Sequence, residues 1–471
     1  MDVLPPSLTY SASKNAMRYN RFSCRPVGTD GAQPGDTVRI KLPSKSLVNL
    51  SSFNLCFNAT VSGATTHAQN TFTQSKLPHG HKLFSAVRVY VGGQLVSGSL
   101  STHYDILYNA LCKASASEDW CRSRYNEHTK ELIENGDDMS LFGQNVNGTL
   151  GGAASKTARY VMTDFLGLFR ANGGKSIIDT SLWGDIDIEL TFNSAACIAK
   201  RNGSAVANAA TAAVNITYSV SGIEAFVECI TQTSPLYVKV ISMIIDGKQD
   251  LIRFPYQNFI TGTTNTGKSA RLQINSGCID AMVICPLGAN FNSLTAPVQV
   301  GDLSAPRYKY TAVKADGSAA AVLTDETNIQ IQIGSDTFPK VPIKFNMDVV
   351  DITTNSLFSN SLYSQNLLFN GLAANNQGEA VAAAYDAFPV SYYSRASFLK
   401  ENFVYIQSFA DQEGWSSRNL TGIDTSSQNL DVIINCPVLE AGADRGSLFI
   451  GALVTSMLVF DARTGAVSVV Q

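Results

Sequence analysis

Strict alternation of apolar and polar residues dominates this chain. Val38, Ile40 and Leu42 alternate with Thr37, Arg39 and Lys41, and Phe53, Leu55, Phe57, Ala59 and Val61 alternate with Asn54, Cys56, Asn58 and Thr60. Val87, Val89 and Val91 run into Gly92-Gly93 and then Gln94-Leu95-Val96, which is a two-residue hairpin signal. Ile186, Ile188, Leu190 and Phe192 alternate with Asp185, Asp187, Glu189 and Thr191. Val214, Ile216, Tyr218 and Val220 then lead into a long strand ending at Cys229. The same style resumes over residues 270–274, 329–333, 403–409, 430–434, 448–460 and 466–470. A period of two gives each strand one apolar and one polar face, as antiparallel sheets packed face to face require.

Helical periodicity is scarce. Thr102 can cap a short helix with Asp105 at its third position and Tyr104, Leu107, Tyr108 and Leu111 as its apolar stripe. Residues 117–134 suggest a second helix and the Ala-rich 377–388 a third, all set between strands. Ser234-Pro235 breaks the ladder before another expected strand at 236–245. Residues 1–30 have Pro5-Pro6, little periodicity and four basic residues (Lys14, Arg18, Arg21, Arg25) against Asp2 and Asp30, so they read as an arm. The expected organisation is a basic arm over 1–30, one β-sandwich over 31–231 and a second over 232–471. About eight strands of roughly 5–6 residues use only part of each half. Long loops, including 140–155, 202–213 and 312–323, take up the rest.

Composition narrows the function. The chain has 471 residues, 35 Lys+Arg against 38 Asp+Glu, and only 15% charged residues, against about 25% for an average soluble protein. Few charges with 45% hydrophobic residues imply a surface covered by lipid or by other subunits. Disorder is excluded by the apolar content, and a strongly basic nucleic-acid binder by the balance of charge. The most apolar uncharged run, 446–460, falls short of the roughly 20 residues a spanning helix needs. The start, MDVLPPSLTY, has neither a basic region nor an apolar one, so no signal peptide is expected. Nine scattered cysteines without a CxxC pair, Cys112 and Cys121 among them, read as reduced thiols.

Three patterns imitate chemistry. Residues 262–269, from Gly262 through Gly267-Lys268-Ser269, match GxxxxGK[ST], but a phosphate loop must open a helix whose N-terminal amides hold the anion. The alternating residues 270–275 that follow read as a strand, and a polar loop between strands is expected. Asp185, Asp187 and Glu189 resemble the Glu-x-Asp-x-Glu strand of laminarinase-type glycoside hydrolases. Retaining hydrolysis needs carboxyls about 5–5.5 Å apart, whereas positions four apart on a strand are separated by about 13 Å. A polar strand face is the expectation. His79-Gly80-His81, with His103 or Asp105, could offer zinc ligands, yet Pro78-His79-Gly80 reads first as a turn. No residue after His128 is a histidine, so the second half cannot hold a Ser-His-Asp device of its own.

Several segments together resemble the double jelly-roll major capsid proteins of eukaryotic double-stranded DNA viruses, including Polinton-like and adintovirus-type elements. They are Gln33-Pro34-Gly35-Asp36 before the strand at 38–42, VRVYVGGQLV at 87–96, LWGDIDIELTF at 182–192, VNITYSVSGIEAFVECI at 214–230, LTGIDTSSQNLDVII at 420–434 and LVFDARTGAVSVV at 458–470. The resemblance implies an all-β fold of two consecutive eight-stranded antiparallel jelly rolls with short helical insertions and long loops. It further implies a homotrimeric capsomer of pseudo-hexagonal outline in an icosahedral virion shell, with minor capsid and penton proteins as partners. An internal membrane or the genome could meet the basic arm. No catalytic, cofactor or metal residue comes with this resemblance. The alternative is a glycan-binding or glycoside-hydrolase jelly roll using Asp185, Asp187 and Glu189.

Overall fold

The computed structural model describes residues 16–62, 65–66, 72–75, 80–98, 103–115, 156–163, 165–169, 177–202, 217–232, 239, 242–243, 246, 251–265, 269–274, 276–286, 328–344, 405–409, 422–425, 431–435, 447–461, 464 and 466–470. In the first half the strands are β1 (Ala16–Cys24), β2 (Thr37–Lys41), β3 (Leu47–Ser62), β4 (Thr65–Thr66), β5 (Phe72–Ser75), β6 (Phe84–Val91), β7 (Gln94–Ser97), β8 (Lys156–Met162), β9 (Ile177–Asp179), β10 (Ile186–Phe192), β11 (Ala199–Asn202) and β12 (Thr217–Gln232). Between them lie helices α1 (Tyr104–Ser115) and α2 (Thr180–Trp183). The second half has β13 (Leu251–Asn265), β14 (Ser269–Gln273), β15 (Ile279–Pro286), β16 (Asn328–Ile333), β17 (Asp336–Lys344), β18 (Tyr405–Ser408), β19 (Asp431–Asn435), β20 (Ser447–Asp461) and β21 (Ala466–Val470).

Every strand pairing among the described residues is antiparallel, and the two halves repeat one order. The first half pairs β1-β12-β3-β8 in one sheet and β2-β10-β6-β7 in the other, while the second pairs β13-β20-β15-β18 and β14-β19-β16-β17. Leaving out β4, β5, β9 and β11, which are additions, each half reads 1-8-3-6 facing 2-7-4-5, the jelly-roll arrangement. Each larger sheet has a fifth strand that adds no new position. One edge of β3 is taken by β12, and β8 and β9 share the other, at Leu55–Val61 and Leu47–Asn49. Likewise β15 and β21 share the edge of β20 that β13 leaves open. The result is two eight-position sandwiches, with β4, β5 and β11 as an extra three-stranded sheet.

Alternation explains the sheets directly. In β10 Ile186, Ile188, Leu190 and Phe192 are buried while the residues between them are half-exposed. The hairpin signal is realised as a turn at Gly92-Gly93, both at positive φ, joining β6 to β7. Across the first sandwich, Phe57 stacks on Tyr160 (5.1 Å) and meets the edges of Phe84 (5.9 Å) and Phe192 (6.3 Å) of the facing sheet. One buried cluster runs through both halves. At the junction Tyr104 lies 5.6 Å from Phe259 and Trp183 5.8 Å from Phe460, and Gly98 N donates to Asn258 Oδ1 (3.1 Å).

Two expectations are corrected. The residues read as an arm include a sheet strand: β1 pairs with β12 from Ala16↔Gln232 to Cys24↔Ala225, so the first sheet starts inside 1–30. An edge strand has only one neighbour and keeps little apolar periodicity; Asn20, Arg21, Phe22 and Ser23 are all exposed. The strand expected at 236–245 is helical at the described residues Lys239, Ser242 and Met243, with Asp246 N donating to Ser242 O at 2.8 Å. Lys239, Ser242 and Asp246 are spaced three and four apart, a helical period that the surrounding apolar residues obscured. The helices expected at 117–134 and 377–388, Thr102, and most of the expected loops lie outside the described residues.

Two outcomes test this architecture. Gly167 has φ +84°, and a Cβ there would sit 1.8 Å from Ser97 Oγ, which itself receives the Leu168 amide at 3.1 Å. Gly167→Ala should therefore cost roughly 3 kcal/mol, read from the denaturant midpoint. Deleting residues 1–25 removes β1. At about 2–4 °C per kcal/mol, loss of that strand should lower the midpoint by on the order of 10 °C.

Candidate functional site

The acidic strand β10 lies between two strands that carry its counter-charges. Opposite it, β2 presents Arg39 and Lys41 and β6 presents Arg88, in register with Glu189↔Arg39 and Glu189↔Arg88. Lys41 Nζ is 2.6 Å from Asp185 Oδ2, Arg39 is 2.6 Å from Asp187, and Arg88 is 2.7 Å from Glu189. Thr37 and Thr191 close the row, hydroxyl to hydroxyl at 3.1 Å. All three carboxylates read as hydrolase candidates are thus ion-paired in a cross-strand ladder on the outer face. Exposed pairs of this kind add little to stability, and each carboxylate is already engaged by a cation on the neighbouring strand. The basic partners were legible in Thr-Val-Arg-Ile-Lys, whose polar positions complement Asp-Ile-Asp-Ile-Glu.

The GxxxxGK[ST] match falls on the end of β13, where Gly262–Asn265 pair with β20, and on Ser269, the first residue of β14. Strand follows strand, so no helix N-terminus is offered to a phosphate; Lys268 lies outside the described residues.

The histidines are separated. His81 is fully buried, stacked 3.8 Å from Tyr108, with Phe165 edge-on at 4.9 Å. Its Nε2 is 2.8 Å from the Thr163 carbonyl and must donate, so Nδ1, 3.2 Å from the Tyr104 hydroxyl, accepts. Both ring nitrogens are engaged within the core. His103 lies at the start of α1 with Nε2 3.3 Å from Thr263 Oγ1, and burial lowers its pKa. Asp105 turns away from both, accepting from Asn193 Nδ2 at 2.9 Å. No group of three or more His, Cys, Asp or Glu fit to hold a metal occurs among the described residues, and His79 lies outside them. Cys24, Cys56, Cys197, Cys229, Cys278 and Cys285 are buried free thiols. Neither Cys121 nor the side chain of Cys112 is described.

Two carboxyls stand out, Asp105 half-buried and Asp280 buried, and only the first was named from sequence. Asp105 is enclosed where α1 meets the end of β10, and burial pushes its pKa up to about 7 against the lowering pull of Asn193, the helix amides and Lys82. Asn193 ties this corner together: its side chain also donates to Lys82 O (3.2 Å), its amide to Leu83 O (2.8 Å), and its carbonyl accepts from the Tyr218 hydroxyl. Asp280 in β15 accepts from Thr455 Oγ1 (2.8 and 3.0 Å), Gln257 Nε2 (3.4 Å) and Cys278 Sγ (3.5 Å), and burial raises its pKa. A lone Asp in the apolar run Gly277-Cys-Ile-Asp-Ala-Met-Val-Ile was its only sequence signal. Asp280 is walled in by core side chains, whereas Asp105 keeps partial exposure at the first turn of α1. Among the described residues no helix is long and apolar enough to cross a membrane.

No family model matches the chain, and no curated protein matches it in sequence. Among the solved structures it is similar to are the following three. Against the PBCV-1 virus capsid the TM-score is 0.52 at 13% identity, covering 96% of this chain and 97% of that one. Against the Faustovirus major capsid protein it is 0.55 at 11% identity, covering 94% and 90%. Against the Sputnik virophage structure it is 0.52 at 10% identity, covering 97% and 89%. The chain therefore has the double jelly-roll fold of viral major capsid proteins, as its strand sequences suggested.

Asp105 gives this region a testable pH dependence. Its carboxyl is neutral in the fold up to about pH 7, while in the unfolded chain it ionises near 4. The unfolded state thus binds fewer protons across that window, so stability falls as pH rises from about 4 to 7 and levels off above. The Asp105→Asn variant should remove a difference of roughly 2.5 kcal/mol in unfolding free energy, read from denaturant titrations at pH 5 and pH 8. An unchanged pH profile would assign the dependence elsewhere.

Proposed function

We propose that this chain is a major capsid protein whose homotrimers, pseudo-hexagonal in outline, tile an icosahedral viral shell. The supporting observation is the duplicated strand order, 1-8-3-6 over 2-7-4-5 in each half, with a single buried cluster joining the two sandwiches. Two like sandwiches locked side by side in each of three chains present six similar units around a threefold axis. The solved structures of like fold are described as virus capsids or a major capsid protein, which supports the same role here. The low charge of 15% suits a chain whose surface is largely given to contacts between subunits. Interfaces of that kind begin at about 2,000 Å².

In this reading the chain works as a structural protein of the virion, and not as an enzyme. Its division falls between β12 and β13. Its partners are further copies of itself, with minor capsid and penton proteins at the edges and vertices of the shell. The basic residues of 1–30, Lys14 before β1 and Arg18, Arg21 and Arg25 on or beside it, face an anionic inner surface, membrane or genome. The glycan-hydrolase alternative would need free carboxylates, and Asp185, Asp187 and Glu189 are each paired with a cation.

Mass measurement of the purified protein in dilute neutral buffer tests the proposal. Three chains per particle at micromolar concentration are expected, with closed shells in electron micrographs of the natural assembly. A stable single chain, or measurable turnover of a β-glucan, would overturn it.

A further inference from the structure

The described residues include two histidines, His81 and His103, and both lie where α1 is held between the halves. α1 covers the outer face of the second half's larger sheet. Tyr104 packs on Phe259 at 5.6 Å, and His103 Nε2 is 3.3 Å from Thr263 Oγ1 with its ring edge-on to Phe449 at 6.3 Å. The equivalent face of the first half keeps Arg21, Thr157 and Arg159 exposed. His81 holds α1 from the opposite side. Its ring is stacked 3.8 Å from Tyr108, its Nε2 donates to Thr163 O (2.8 Å), and its Nδ1 accepts from the Tyr104 hydroxyl (3.2 Å). The same hydroxyl accepts from the Leu166 amide at 3.4 Å.

This arrangement works with one proton on each ring. A second proton on His81 would set Nδ1–H against the Tyr104 O–H, and that hydroxyl would have to turn its own proton elsewhere. His103 faces a different cost. Its carbonyl accepts from Leu107 N at 3.2 Å, which places it at the N-terminus of α1, where the helix dipole disfavours a cation. Among the described residues no ionised acid faces either ring. On α1 the charged positions are Asp105 and Lys113; Asp105 is turned to Asn193 and is itself neutral up to about pH 7. The turn Gly80–Leu83 carries Lys82, and the charged residues of β6 and β8 are the cations Arg88, Lys156 and Arg159. Residues 163 and 165–169 carry no charge. The charged residues of β13, β15 and β20 are Arg253, Asp280 and Asp461. Arg253 and Asp461 lie at the far end of their strands from the Thr263↔Phe449 pair, and Asp280 is taken by Thr455 and Gln257. Cys285, opposite Phe449, is a buried thiol.

We propose that His81 and His103 make this joint an acid-operated latch: a proton taken up on each ring at about pH 5–6 frees α1 from β13, β15 and β20 while both sandwiches stay folded. The sign follows from the geometry. The closed joint uses both rings neutral, whereas released rings are free to protonate, so the joint weakens as pH falls below about 6.5. Asp105 acts in the opposite sense, favouring the folded chain below about pH 7, so loosening in acid does not come from it. The latch lies within one chain and goes beyond the capsid reading. In a shell built as proposed above, it lets acid loosen every subunit together.

Hydrogen exchange of the full-length protein, with rates corrected for the intrinsic effect of pH, tests the latch. The amides of α1 should exchange at least about ten-fold faster at about pH 5 than at about pH 7.5, and those of β10 no faster. In the His81→Gln, His103→Gln double variant, which can take up neither proton, the two α1 rates should agree to within about two-fold. Equal protection of α1 at both pH values in the wild type overturns the proposal. So does an acid response that survives in the double variant, or β10 opening together with α1. Should the double variant lose its folded far-UV spectrum, His103→Gln alone is read in the same way. Its acid response should be at least about three-fold smaller than the wild type's, and an equal response overturns the proposal.

Discussion

The seating of α1 against the outer face of the second sandwich is the contact on which the rest of the molecule depends. It is close-packed at Gly451 in β20, where a Cβ would stand 2.7 Å from a Leu107 methyl. It also brings Tyr104, Leu107, Tyr108 and Leu111 into a cluster that β13, β15 and β20 complete from the other half. A jelly roll buries its inner faces by itself; what makes two of them one body is the burial of a second, outer face. Apolar burial contributes about 25 cal/mol per Å², so covering both faces of a sheet also removes its tolerance for independent motion.

That same junction accounts for the polar groups that first looked chemical. His81, Tyr104 and the Thr163 carbonyl form one chain of hydrogen bonds beneath α1, and Asp105 with Asn193 forms another at its first turn. Buried polar atoms without partners cost roughly 1–3 kcal/mol each, so these groups have been given partners rather than a solvent-facing cleft. The ladder of Asp185, Asp187 and Glu189 follows the same logic at the surface, where each acid meets a base on the next strand.

The equivalence of the two halves is topological and stops short of composition. In the first half β1 is an edge strand with solvent on its outer side and charged residues along it. In the second half β13 occupies the same position but is buried from Tyr256 to Phe259. Exposed strand edges invite pairing and are commonly blunted with charge; Arg21 and Arg25 on or beside β1 fit that pattern, while Phe22 beside them does not. An edge that is charged for solubility yet retains an exposed aromatic ring is suited to a partner that is specific and polar.

Much of the fold was legible in the residues because a strand with one buried face writes its structure as alternation. The segments around Val38, Phe53, Val87, Ile186, Ile329 and Leu448 all became strands, and Gly92-Gly93 became their hairpin turn. β1 and the helical residues Lys239, Ser242 and Met243 were misread for opposite reasons. An edge strand loses the alternation, whereas a mostly apolar segment with only Lys239 and Ser242 as polar positions hides which period it follows. The basic partners of β10 were within reach of the sequence, since Arg39 and Lys41 sit on the polar face of an alternating strand. Which base meets which acid was not, because register between strands far apart in the chain is set by packing of the whole sheet. The burial of Asp105 and Asp280, the engagement of both His81 nitrogens and the shielding of one outer face but not the other were decided by tertiary structure alone. Each depends on what the opposite half of the molecule brings to that place, and a local pattern of residues carries no record of it.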